Sequence, residues 1–231
     1  MRLRVVQDAC GGVGVLIYAG NPDGVAVDEC RRLGVGVMIA TSTGTRTNKR
    51  WRGMRCALDN GGYRCARRGY PFMAQAFRDQ MWACYKAGLD LDFIVAPDIV
   101  GAGRRSLTLS MEWAVGELAT APHVAVPVHA GMTPAHLVDV GGLARFSHVF
   151  IGLGSVNNDW AVVSEWIEFA HQYGKHAHVG QVGTLGNLRA AEHLGADSVD
   201  STNFARNGAW KVIETFCDDP QLELPEVTCG T

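Results

Sequence analysis

AHVGQVGTLGNLRAAEHLGADSVDS, residues 177–201, contains one complete unit of a parallel α/β architecture. Ala177–Val182 is a short apolar run that breaks at Gly183; Leu185–Leu194 carries helical spacing; Gly195 stands where a helix C-cap returns the chain; Ser198–Ser201 starts a second strand. Strand, helix and strand in that order predict a parallel pair. Working outward, six more apolar runs rich in Val and Ile recur at similar intervals: Val13–Ala19, Val35–Thr41, Arg55–Asp59, Phe93–Asp98, Val124–His129 and His148–Gly152. Helical spacing fills several gaps, over 71–87, 106–118, 134–140 and 160–173. Eight strands in one chain of 231 residues favour a closed (β/α)8 barrel over an open doubly wound sheet. Two features resist this reading: helical periodicity between the first two strands is poor, and Pro127 sits inside the fifth strand, where a central ladder has no use for it. The predicted division is a barrel over residues 1–216 and a peripheral tail over 217–231.

Composition narrows the function classes. Hydrophobic residues make up 47% of the chain, charged residues 19%, and the net charge of −2 gives no global pull toward nucleic acid or membrane. No stretch reaches 18 apolar residues, and Asp8 interrupts the N-terminus before a signal-like run develops, so a cytoplasmic protein with no membrane partner is expected. The seven cysteines are odd in number and include no C-x-x-C pair, which predicts reduced, mostly buried thiols and no zinc ribbon.

In a parallel barrel the loops after the strands converge on one face, so strand C-termini are the informative positions. They read Asp59, Asp98, His129, Gly152 to Gly154, Gln181 and Asp200. Several acids gathered at one mouth are costly to bury and are better explained by binding or proton transfer than by stability. Each also has a plainer reading: Asp59 as a turn cap ahead of glycines, Asp98 as a helix N-cap, His129 as a satisfied core histidine. Asp197 competes with Asp200, but their odd separation puts them on opposite faces of a strand, so only one faces inward. Local charge supplies a second signal. Between Arg46 and Arg68 there are eight Lys and Arg against the single acid Asp59, with Trp51, Tyr63 and Tyr70 interleaved. That pattern suits phosphate contacts combined with base stacking, and equally a solvated loop.

Taken together, these motifs resemble the tRNA-guanine transglycosylase superfamily over roughly residues 55–208. Asp59-Asn60-Gly61-Gly62-Tyr63 is similar to the family's D-S-G-G-F loop, Ala96-Pro97-Asp98 to the strand end that reads guanine, and Val128-His129-Ala130-Gly131 to its V-Q-G-G. Gly152-Leu153-Gly154 resembles the glycine strand, and Val182-Gly183 through Asp200 with Arg206-Asn207-Gly208 resembles the V-G … D-M-F-D … R-N-G run. The resemblance implies Asp200 as nucleophile, Asp59 as acid/base group, and Asp98, His129, Gly152, Gly154, Gln181, Tyr63 and Asn60 around the base. It implies Arg46, Lys49, Arg50, Trp51, Arg52, Arg64, Arg67, Arg68 and Arg206 along the nucleic acid. His129 replaces the family's Gln, Asn60 its Ser, and the zinc subdomain is absent, since only Cys217 and Cys229 follow Asp200. Compact relatives without zinc act in phages and DNA-modification clusters, so the implied reaction is exchange of guanine for a 7-deazaguanine such as preQ0 or preQ1. DNA is favoured over tRNA, with no cofactor or metal and the oligomeric state open. The rival expectations are a barrel hydrolase or lyase acting on a small molecule, and a catalytically silent binder.

Overall fold

The computed structural model describes residues 14–41 and 47–218. Eight parallel strands close into a barrel in sequential order. They are β1 (Leu16–Gly20), β2 (Gly36–Ala40), β3 (Cys56–Asp59), β4 (Leu91–Val95), β5 (Val124–Val128), β6 (His148–Gly152), β7 (His176–Gly180) and β8 (Ser198–Ser201). The helices are α1 (Val25–Arg32), α2 (Gly62–Arg67), α3 (Ala74–Lys86), α4 (Arg104–Val115), α5 (Pro134–Asp139), α6 (Trp160–Gln172), α7 (Leu185–His193), α8 (Thr202–Asn207) and α9 (Trp210–Asp218). All eight predicted strands are present; of the first, Val13 lies outside the described residues.

Both anomalies have local explanations. The unpredicted α1 is only eight residues long, so two turns with Val27 and Cys30 buried suffice and no sustained periodicity develops. In β5 the carbonyl of Ala125 accepts from Ala96, so odd-numbered residues of that strand turn their backbone groups toward β4. Pro127 therefore meets that side after β4 has ended at Val95, where the Ala96 carbonyl accepts from the Asn60 side-chain amide instead. The missing N–H costs no ladder bond.

Alternation along each strand builds two cores. Outward residues such as Ile39, Leu58, Ile151 and Val199 pack under Phe77, Leu107, Trp166, Leu188 and Ile213 of the helices. Inward residues form a smaller cluster of Tyr18, Met38, Ala57, Phe93, Val95 and Ala125, with Leu16 and Phe150 against it. Asp197 turns outward, its Oδ2 accepting from the Ala177 N–H at 2.7 Å and lying 3.0 Å from His171 Nε2, so the inward carboxylate is Asp200. At the C-terminus, Cys217 and Asp218 belong to α9, whose Ile213 and Phe216 are buried, rather than to a tail; residues 219–231 lie outside the described residues. Cys30, Cys56, Cys65 and Cys84 are free thiols, but Cys217 is disulfide-bonded, which corrects the expectation of reduced cysteines throughout. Among the described residues no helix is long and apolar enough to cross a membrane.

The lower half of the interior holds a ladder of imidazoles. His148 stacks on Phe93 at 4.8 Å and on His176 at 4.9 Å, with His123 at 6.0 Å. Burial, helped by the neighbouring histidines, lowers the His148 pKa to about 3. Unfolded chains take up this proton below the ordinary value near 6.5 while the folded barrel does not. The contribution of His148 is therefore complete above pH 6.5 and lost as pH falls toward 3, at about 1.4 kcal/mol per pH unit. Thermal melts of His148→Phe should consequently lose less stability between pH 6.5 and 4 than the parent protein; parallel curves would refute this.

Candidate active site

At the C-terminal ends of the strands, the loop after β3 is held by its own side chains. Asn60 donates through Nδ2 to the Ala96 carbonyl at 2.6 Å and accepts the Gly62 N–H at 2.6 Å, so both ends of its amide fasten the loop to the end of β4. Asn60 thus scaffolds the site, with one amide hydrogen and one carbonyl oxygen lone pair already committed to the loop. Thr41 ties the same loop to β2, its hydroxyl donating to the Asp59 carbonyl at 2.9 Å. Gly61 takes the left-handed conformation needed to enter α2, with φ 79°. Gly62 is required for a different reason: a Cβ there would stand 1.9 Å from Asp98 Oδ1.

So fixed, Asp59 faces Asp200 and Asp98. Loss of water is the main cause that raises its pKa to about 7; the Asp200 and Asp98 charges add to the rise, and the N–H groups of Gly61 and Asn60 oppose it. A carboxyl titrating there holds or releases a proton at neutral pH. Asp200 sits across the mouth at the end of β8, buried, with Oδ1 3.1 Å from His178 Nε2. Gly180 leaves room for it, since a Cβ at that position would lie 3.0 Å from Oδ1.

Asp98 lies three residues beyond β4 and caps no helix, because α4 begins at Arg104 behind Gly103. Its Oδ2 is 2.8 Å from His129 Nε2, with side chains 5% and 3% exposed. The approach is out of line for a hydrogen bond, leaving Asp98 Oδ1 and both ring nitrogens without hydrogen-bond partners. Buried polar groups left unpaired cost about 1–3 kcal/mol each, so this is not a satisfied core histidine, and the pair retains its capacity for a ligand. On the far side, Gln181 adopts a positive φ of 69° and accepts the Gly154 N–H at 3.0 Å. The hydroxyl of half-exposed Tyr63 stands 3.7 Å from where a Gly154 Cβ would be, so α2 reaches over to the turn following Gly152. The Gly154 N–H is therefore engaged by Gln181.

The basic run divides into two groups. Trp51 is 3% exposed and donates its indole N–H to the Pro22 carbonyl, so it has no face for a nucleobase, contrary to expectation. Arg50 pairs with Asp28 at 2.6 Å and reaches the Gly24 carbonyl, while Arg52 donates to the Ala87 carbonyl at 2.5 Å; both brace the barrel's own loops. Lys49 is exposed in the short turn beside them, and Arg46 lies outside the described residues. Arg64, Arg67 and Arg68 are exposed on and just after α2 with no ion pair among the described residues, and Arg64 and Arg68 line a cavity with Thr41, Asn60, Gly61 and Tyr70. Arg206 is exposed on α8, also after a strand end.

One residue of the site carried no motif. His178 faces inward, at an alternating position shared with Gly180, above the His148 ladder. The i, i+2 spacing of His176 and His178 on a short strand was the available signal. Among the described residues no group of three metal-binding side chains converges.

No family profile and no curated protein matches the chain. Among solved structures, a "putative isomerase" from Sinorhizobium meliloti superposes with a TM-score of 0.53 at 12% identity, over 85% of this chain and 52% of the other. Its open-loop form gives 0.52 at 13%, over 88% and 54%. A mandelate oxidase mutant with a C4a-OH-FMN adduct gives 0.55 at 13%, over 93% and 79%. The chain spans about half the length of the Sinorhizobium protein. At such identities the likeness establishes the fold: this is a (β/α)8 barrel, and its acid-rich mouth lies where barrel enzymes place their chemistry.

Proposed function

We propose that the protein is a base-exchange transglycosylase that replaces guanine in a polynucleotide, DNA in preference to tRNA, with a 7-deazaguanine such as preQ0 or preQ1. The observation that carries this reading is the pair of facing aspartates in unlike surroundings: Asp59 desolvated and titrating near 7, Asp200 engaged by an imidazole. Unlike environments assign unlike roles to two carboxyls. Asp200 attacks C1′ of the target nucleotide as the C1′–N9 bond breaks, and the electron pair goes to the departing guanine, which takes the proton held by Asp59. The incoming base then surrenders a proton to Asp59 and displaces Asp200. Asp98 and His129, with hydrogen-bonding groups unspent, suit the polar edge of guanine. The exposed arginines of α2 suit the phosphates of a strand whose base has left the stack.

The test is mass spectrometry of nucleosides from DNA and tRNA incubated with the protein and labelled preQ0 or preQ1. Label in DNA is expected, and label in tRNA alone would reverse the polymer preference. Label in neither polymer would favour the second reading, an acid–base isomerase or hydrolase working on a small molecule. One of the superposable barrels carries the name of an isomerase, which fits that reading.

The two arginine groups make a separate prediction. Arg67→Ala with Arg68→Ala should weaken DNA binding and lower the slope of log K against log salt by about 2, roughly 0.9 for each phosphate no longer neutralised. Arg50→Ala with Arg52→Ala should lower the melting temperature and leave the slope unchanged. Equal slopes in fluorescence anisotropy for parent and Arg67/Arg68 variant would assign the exposed arginines to solvent alone.

A further inference from the structure

We infer that His178 is the positioning residue for Asp200, holding that carboxylate by one oxygen so that the other is presented to the reacting centre. His178 is fully buried at the centre of β7. Its ring is sandwiched in the barrel interior, stacked on Phe150 at 4.9 Å with 16° between planes and tilted against Phe93 at 5.2 Å. Rotation is thereby blocked and both nitrogens are aimed. Nδ1 lies 2.8 Å from the Ser198 hydroxyl and Nε2 lies 3.1 Å from Asp200 Oδ1. Ser198 and Asp200 are two apart on β8 and face the same way, and His178 pairs in register with Ser198, so one imidazole spans both from the neighbouring strand.

The chemistry of the three groups selects the tautomer. An ionised Asp200 only accepts, so the ring proton facing it is on Nε2; Nδ1 then accepts from the Ser198 hydroxyl. A charge-assisted hydrogen bond from a ring with no rotational freedom fixes Oδ1 and leaves Oδ2 to attack. Gly180 helps, because any side chain there would press on both Phe150 and Oδ1. In the attack step the Oδ2 lone pair forms the bond to C1′, the C1′–N9 pair leaves with the base, and the transferred proton comes from Asp59. His178 keeps its own proton throughout. A plain packing role would need the stacked ring and neither nitrogen.

This inference rests on the exchange reading only for the identity of the reaction, and the experiment separates the two. His178→Phe keeps a stacking ring and removes both hydrogen bonds; His178→Gln retains a donor toward Asp200. The substrate-free protein, labelled with 13C in its aspartates, is titrated by NMR, and covalent adduct formation with an oligonucleotide is followed in parallel. In His178→Phe the Asp200 carboxyl should titrate about one pH unit higher than in the parent. Adduct formation should fall on the order of 10²-fold with oligonucleotide Kd within about threefold, and His178→Gln should recover part of both. An Asp200 titration unmoved in His178→Phe overturns the assignment, and should that variant not fold, His178→Leu, which also removes both hydrogen bonds, is read by the same criterion. A moved titration in protein that forms no adduct with any polynucleotide upholds the placement of His178 and defeats the exchange reading instead.

Discussion

Asp200→Asn protein should form no covalent adduct with an oligonucleotide on a denaturing gel, and its turnover should fall below about one-thousandth of the parent value. The amide is nearly isosteric, and its oxygen can still accept from His178, so the fold and the mouth survive while the nucleophilic oxygen is lost. Binding of the polynucleotide, carried by groups on other loops, should stay within a few-fold. That combination of intact binding and absent chemistry distinguishes a nucleophile from a residue that only shapes the pocket. Normal exchange by this variant would remove Asp200 from the mechanism.

Asp59→Asn should give the second large effect, and with opposite consequences for activity and stability. On the proposed exchange the leaving base takes the proton that Asp59 holds below about pH 7, so kcat/KM of the parent should decline as pH rises through that value. The variant should lack this limb and retain on the order of one-hundredth of the activity or less. Stability moves the other way. The folded state holds the Asp59 proton up to about 7 and the unfolded chain releases it near 3.8, so the parent loses about 1.4 kcal/mol per pH unit between those values. An asparagine does not ionise, and the variant should melt at a higher temperature than the parent at pH 8. A variant that is both inactive and less stable at that pH would mean that Asp59 holds the loop together rather than the proton.

Much of the barrel was legible because a parallel strand buried on both sides has a simple signature. Val124–Val128 and Ala177–Val182 are apolar runs bounded by glycine or polar residues, and the helices between them are long enough to show a 3.6-residue period. The exceptions, α1 and Pro127, fall where periodicity is too short to register or where the strand's partner has already stopped. Strand ends also announced the site, and alternation put Asp197 and Asp200 on opposite faces, of which the structure turns Asp200 inward. Two kinds of information were out of reach. Charge in a linear run carries no record of its partners, which is why Arg50, Arg52 and Trp51, engaged with Asp28, Ala87 and Pro22, read the same as the exposed Arg67 and Arg68. Support from beneath is equally hidden, since the contact between His178 and Asp200 depends on the register of β7 against β8.

The stack of Tyr18, Phe93, Phe150 and His178 under the aspartates has a kinetic meaning. Packed rings close the barrel interior beneath the aspartates, so on the proposed exchange both bases would use the mouth above them. On that proposal guanine leaves before its replacement arrives, and in between the polymer would be attached through Asp200. Double-reciprocal plots at several fixed concentrations of the incoming base should accordingly be parallel lines, the signature of a two-stroke cycle through a covalent intermediate.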